Sequence, residues 1–175
     1  MRVSKVDVAL NQVGAAVRLW EDGRDEIAAH TLTCAGLEVI RGVLQARGAS
    51  LLLDESVRNH IRPESVGDVQ RTMRRAQNFF KHADRDANDE HDFDPATTEW
   101  LLFMAALGLR QLEVQLPVAV AAFYVYMSAM HHEILVLGPE QRQMVESLRD
   151  SVRSQDRGET LSMLRRLISD SGWRG

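Results

Sequence analysis

Apolar residues recur at helical spacing along almost the whole chain, and each run is bounded by a helix start or stop signal. A 3.6-residue repeat is useful only to an amphipathic helix, so this pattern restricts the chain to packed helices. Ser4 and Asp7 have the spacing of a capping box, and Val6, Leu10, Val13, Val17 and Trp20 then trace one stripe. Asp22-Gly23 marks the stop. A second, longer helix is predicted over Asp25–Arg47, with Leu32, Ala35, Val39 and Val43 on its core face and Gly48 past its end. So short a connection makes these two helices antiparallel neighbours.

Leu51–Asn59 reads as a shorter helix, and His60–Pro63 as a break. Ser65 and Asp68 have capping-box spacing for the next helix, which should end near Lys81–Asp84. Asp94-Pro95 then pairs an N-cap residue with proline at the first helical position, opening a helix through Trp100, Phe103, Leu107 and Leu112. Pro117 begins or kinks the next, which carries an apolar run to about Leu135. Gly138-Pro139 ends it and opens Pro139–Ser154, and Gly158 separates a last helix over Glu159–Ser169. The expected architecture is an all-α antiparallel helical bundle in one domain of 175 residues. Its main bundle covers about residues 4–137, and a C-terminal helical extension over about 139–170 packs on it as an extra pair. The apolar Leu116–Leu135 segment is either core or a dimer interface.

Composition agrees and narrows the function classes. At 45% hydrophobic and 26% charged, the chain can bury an ordinary core, and four prolines with few Asn-Gly turns argue against an all-β fold. A net charge of −4 gives no global attraction to nucleic acid or to an anionic membrane, so RNA binding needs a local patch. Cys34 is the single cysteine, which rules out an internal disulfide and suits a reducing compartment. The N-terminal MRVSKVDVAL lacks an uninterrupted apolar signal core, and Leu116–Met130 is short of a membrane span. The expectation is a cytoplasmic protein with no membrane partner.

One stretch departs from ordinary helical composition. In Arg71–Asp94, RTMRRAQNFFKHADRDANDEHDFD, a basic helix end runs through Lys81-His82 into an acidic loop. Arg71, Arg75, Asn78 and His82 stand at i, i+4, i+7 and i+11, one row at roughly 100° per residue, while Val69, Met73, Ala76 and Phe80 fall opposite. The row is either a solvated polar face or an anion site built from fixed guanidinium donors and an imidazole that exchanges protons near neutral pH. Arg71, Arg74 and Lys81 are the candidate phosphate or nucleic-acid contacts, with Arg85 adding to the same basic patch. Asp84, Asp86, Asp89, Glu90, Asp92 and Asp94 follow closely and count against a long backbone track.

Arg75-x6-His82, set in RRAQNFFKH, resembles the Arg-x(4–6)-His motif of the HEPN superfamily (higher eukaryotes and prokaryotes nucleotide-binding domains). That family is all-helical, and many members are metal-independent RNases whose site forms where two subunits meet. The position after the arginine is often polar there; here it is Ala76, with Asn78 as the nearby polar group. The resemblance implies a homodimer, RNA or a nucleotide as partner, and no cofactor. It implies attack of a ribose 2′-oxygen on phosphorus, with His82 as general base or acid and Arg75 stabilising phosphoryl charge. Asn78 would orient the imidazole or bond the phosphate. The rival expectation is a non-catalytic helical interaction or small-ligand protein.

Other constellations are weaker. Asp84–Asp92 opens like an EF-hand loop, but Asp89 stands where glycine is needed and Pro95 where a bidentate Glu closes the site. His131-His132-Glu133 lacks helical ligand spacing, so no metal site is assigned. His30, Cys34 and Arg41 share a row with Glu26 and Glu38 at its edges, in the manner of a polar helix face that could hold zinc or a Cys-His pair.

Overall fold

The computed structural model describes residues 1–51, 54–55, 71, 75–81, 88–132, 135, 138–154 and 156–171, with the side chains of 140 and 141 outside that description. The fold is all-α, and the described residues contain no strand. Helix α1, Lys5–Asp22, starts at the expected capping box: Ser4 Oγ accepts from Asp7 N at 3.0 Å and the Asp7 carboxylate accepts from Ser4 N at 2.9 Å. These bonds hold the Asp7 carboxyl below its ordinary pKa. Gly23 takes the left-handed conformation at φ 62° and closes the helix with a bond from its N–H to Leu19 O. Asp25 Oδ1 caps helix α2, Glu26–Ala46, by accepting from Ala28 N at 2.9 Å.

The buried face of α2 differs from the expected stripe. Leu32, Ala35, Val39 and Val43 are only partly buried, whereas His30, Thr33, Cys34, Leu37, Ile40 and Leu44 are inside. Helix α2 packs between α1 and a later helix, so two neighbours rather than one decide which side is buried. Close approach to α1 needs Gly36, where an added Cβ would lie 2.8 Å from Val13 Cγ2.

Residues 75–81 form helix α3; of the expected Leu51–Asn59 helix, residues 54 and 55 are helical and Leu51 is not, while 52, 53, 56–59 and the Ser65 cap lie outside the described residues. Helix α4, Ala96–Gln111, begins one residue later than Asp94-Pro95 suggests. Pro95 is its N-cap, while Asp94 Oδ1 still accepts from Ala96 N at 3.0 Å. Gly108 lies against α2, where a Cβ would sit 2.7 Å from both Ile40 Cγ2 and Leu51 Cδ1.

Helix α5, Val118–Met130, follows Pro117 and buries nine of its thirteen residues, including Phe123 and Met127. A helix apolar all round belongs in a core, and burial within one chain assigns this segment there. It stops at His131 rather than near Leu135, because His131 leaves the helical conformation and its ring rests 4.5 Å from that of Trp100. Helix α6, Pro139–Ser154, has the expected bounds. Helix α7, Arg157–Ser171, begins before Gly158, because Asp156 Oδ1 accepts from the N–H groups of Gly158 and Glu159. Both helices pack on α5, and Val145, Val152, Leu161, Leu164 and Ile168 join the main core. Arg157 stacks on Trp20 at 4.5 Å and Arg165 pairs with Glu21, tying α7 to the end of α1.

Helix α2, with 21 residues, is long and apolar enough to cross a membrane by length and composition alone. Its buried face packs on α1 and α4, as a core helix does.

The glycine contacts give a paired test. Gly108→Val overpacks the α2–α4 contact and is expected to lower the free energy of unfolding by about 1–3 kcal/mol. Gly42→Ala, where nothing lies within 4 Å of the added Cβ, is expected to raise it by up to about 1 kcal/mol through helix propensity. Urea unfolding of both variants measures the contrast.

Candidate functional site

Helix α3 carries three of the expected site residues, and its position is set by α2. Glu38 Oε1 accepts from Gln77 Nε2 at 2.7 Å, and Glu38 Oε2 pairs with Lys81 Nζ at 3.4 Å. Gln77 and Lys81 are four residues apart, so one carboxylate grips one side of the helix at two successive turns. The Gln77 bond matters more, because Gln77 is buried and the bond is charge-assisted, whereas the Lys81 pair is solvent-screened.

Deeper in, His30 of α2 is fully buried, with Nδ1 2.9 Å from Thr98 Oγ1 of α4 and Nε2 3.4 Å from Cys34 Sγ. A neutral ring whose Nδ1–H donates to Thr98, while Nε2 accepts from the thiol, satisfies both nitrogens. Phe80 of α3 and Phe93 of the following loop meet the imidazole edge-to-face, at centroid distances of 5.6 and 5.0 Å, and each other at 5.2 Å. The ring therefore joins α2, α3, the loop and α4 at one point.

The His30–Cys34 row is thus interior rather than a polar surface face. Burial pushes the Cys34 thiol up to about 11, against which Lys81 and Arg41 act only in part. A thiol held protonated is a poor nucleophile and metal ligand, and both side chains lie buried in the core. Arg41 turns away to a two-point pair with Asp54, Nε to Oδ2 at 2.6 Å and Nη2 to Oδ1 at 3.1 Å. His131 lies against Trp100, while His132 Nδ1 reaches back to Ala129 O at 3.3 Å. Among the described residues, no three His, Cys, Asp or Glu side chains are grouped to hold a metal.

With Phe80 and Gln77 turned inward, the opposite side of α3 faces an open pocket of about 450 Å³. Arg71, Arg75, Asn78 and Phe79 line it from the helix side, and Asp89, Glu90 and His91 from the loop. Phe79 and His91 stack at a tilt of 40° with centroids 5.3 Å apart, forming an aromatic wall. Arg75, Asn78, Asp89 and Glu90 are exposed to solvent around it. Of the row expected from helical spacing, Arg71, Arg75 and Asn78 line this pocket. Lys81 is not in that lining and instead holds Glu38. His82, Arg74 and Arg85 lie outside the described residues.

Phe79, Asp89, Glu90 and His91 were not singled out by the sequence as pocket residues. The adjacent Phe79-Phe80 pair carried one usable signal, since neighbouring helical residues point about 100° apart and the two rings meet different surroundings. A second pocket, about 190 Å³, lies between Trp20, Glu26, Glu99 and Arg157. The chain's own Arg157 covers the Trp20 ring there.

In comparisons with known proteins, the chain matches no family model, no curated protein and no solved structure. The resemblance of Arg75–His82 to HEPN domains rests on those residues.

The buried imidazole makes stability pH-dependent. Burial, then the nearby His91, lowers the His30 pKa from its ordinary 6.5. The unfolded chain then binds a proton that the folded chain refuses, so stability is full above pH 6.5 and falls as pH drops from 6.5 towards the folded pKa. Urea unfolding between about pH 7 and pH 5 should show a steeper loss for wild type than for His30→Gln, which keeps a hydrogen-bonding group without titrating. Equal slopes would remove His30 from this account.

Proposed function

We propose that this chain is a HEPN-like helical domain that binds the phosphate of RNA or of a nucleotide in the α3 pocket. We extend the proposal to metal-independent RNA cleavage by a dimer. The observation that carries the reading is the convergence of Arg75, Asn78 and Arg71 on one pocket beside an aromatic wall. Guanidinium groups suit phosphate because their planar donors match its oxygens in pairs, and an amide adds a neutral donor. Phe79 and His91 give a base a surface to stack on, worth about 1–3 kcal/mol per base in single-stranded recognition.

The chemical step takes its roles from the family resemblance. His82 removes the proton from the ribose 2′-hydroxyl or donates one to the leaving 5′-oxygen. Arg75 stabilises the charge that gathers on the phosphoryl oxygens, and Asn78 bonds the phosphate. The products are a 2′,3′-cyclic phosphate and a 5′-hydroxyl, which balance without metal or water. A second subunit supplies the facing Arg/His set.

The rival reading, a non-catalytic small-ligand domain, draws on a specific observation. Asp89 and Glu90 share the pocket with the two arginines, so the fixed charges of the described lining cancel. That balance disfavours a long phosphate track and suits a single nucleotide.

Cleavage of a mixed single-stranded RNA pool in EDTA tests the proposal. Wild type should leave cyclic phosphate ends, Arg75→Ala should be about 10²–10³-fold slower, and His82→Ala about 10²–10⁴-fold slower. Equal cleavage by all three proteins would locate the activity elsewhere. No cleavage, with nucleotide binding that depends on Arg75, would leave the binding domain and remove the nuclease.

A further inference from the structure

The α3 pocket is chemically two-sided. Arg75 and Asn78 offer donors on the helix side, Asp89 and Glu90 offer only acceptors on the loop side, and the Phe79–His91 wall accompanies both. A simple anion would use the donor side and be repelled by the carboxylates. A simple cation would meet the reverse. The ligand that uses both sides carries negative charge at one end, a flat apolar body in the middle and hydrogen-bond donors at the other end.

A nucleotide has that form, and its base decides how well the acceptor side is used. Guanine presents two adjacent donors, N1–H and the N2 amine, which match the two oxygens of one carboxylate. Adenine and cytosine each place a ring-nitrogen acceptor beside their amine, so one carboxylate oxygen faces a lone pair. Uracil has one N–H between two carbonyl oxygens. A mismatch of this kind leaves polar groups facing like groups, which discriminates more strongly than a change in apolar contact. The pocket volume of about 450 Å³ lies within the range of small-molecule sites.

We infer that the pocket selects guanine nucleotides, with Arg75 and Asn78 on the phosphate, Phe79 and His91 against the base, and Asp89 or Glu90 accepting from N1–H and the N2 amine. This rests on the phosphate-binding reading above. For an RNA ligand, the selected nucleotide is a guanosine in a single-stranded segment, since the edge read is the one used in base pairing.

Calorimetric titration of the full chain in EDTA with the 5′-monophosphates of guanosine, inosine, adenosine and uridine tests it. Guanosine monophosphate should bind at least about tenfold more tightly than the adenosine and uridine compounds, a factor worth about 1.4 kcal/mol. Inosine monophosphate, which lacks only the N2 amine, should fall between. The double variant Asp89→Asn, Glu90→Gln should level the four affinities while binding stays sensitive to Arg75→Ala. Asp89 and Glu90 are exposed loop residues, and the wild-type comparison needs no variant to fold. Equal wild-type affinities that all weaken in Arg75→Ala would overturn guanine selection and leave the phosphate reading standing. Absence of any Arg75-dependent nucleotide binding would overturn both.

Discussion

The imidazole of His30 is the contact on which the site depends. It lies at the centre of a cluster to which α2 contributes His30 and Cys34, α3 contributes Phe80, the loop contributes Phe93 and α4 contributes Thr98. A residue of this kind is costly to bury unless both nitrogens are satisfied, and here they are. Its neutral form lets two phenyl rings pack edge-on around it, an arrangement worth more than area burial alone. Glu38 adds a polar grip on the same side of α3 through Gln77. Together these contacts decide which face of α3 is inward, and hence that Arg75 and Asn78 face the pocket.

The pocket is therefore a by-product of how α3 is docked, and its charge pattern follows from the loop that returns the chain to α4. Phe93 must reach His30, and that anchor brings Asp89, Glu90 and His91 across from the arginines. A row of guanidiniums alone would favour any polyanion. The opposing carboxylates balance the arginine charges across the pocket, and on the proposed reading selection comes from charge geometry rather than from net attraction, in a chain whose net charge is −4.

Local signals were legible in the sequence wherever the controlling atoms are neighbours. Ser4 with Asp7, Gly23, Asp25 and Pro117 mark helix ends because caps and backbone conformation are settled within four residues. The row Arg71, Arg75, Asn78 was legible for the same reason. The buried face of α2 was not. His30 reads as part of a polar helix face, and the hydroxyl that lets it be buried belongs to Thr98, 68 positions away. Gln77 was missed likewise, since its burial depends on Glu38 of another helix. Asp89, Glu90 and His91 lie in a loop with no periodicity, so only the tertiary anchor at Phe93 shows where they go. At the start of α7, Gly158 reads as a breaker, whereas Asp156 supplies a cap that makes a glycine in the first turn acceptable.

The most direct test of the central claim is a proton–nitrogen NMR titration of the full chain with guanosine monophosphate, following arginine Nε–Hε and side-chain amide signals. The account predicts that the Arg75 and Asn78 signals shift together and saturate, and that the Gln77 amide, held by Glu38 on the inner side of α3, stays in place. Unmoved Arg75 and Asn78 signals at saturating nucleotide, or shifts confined to another part of the bundle, would contradict it.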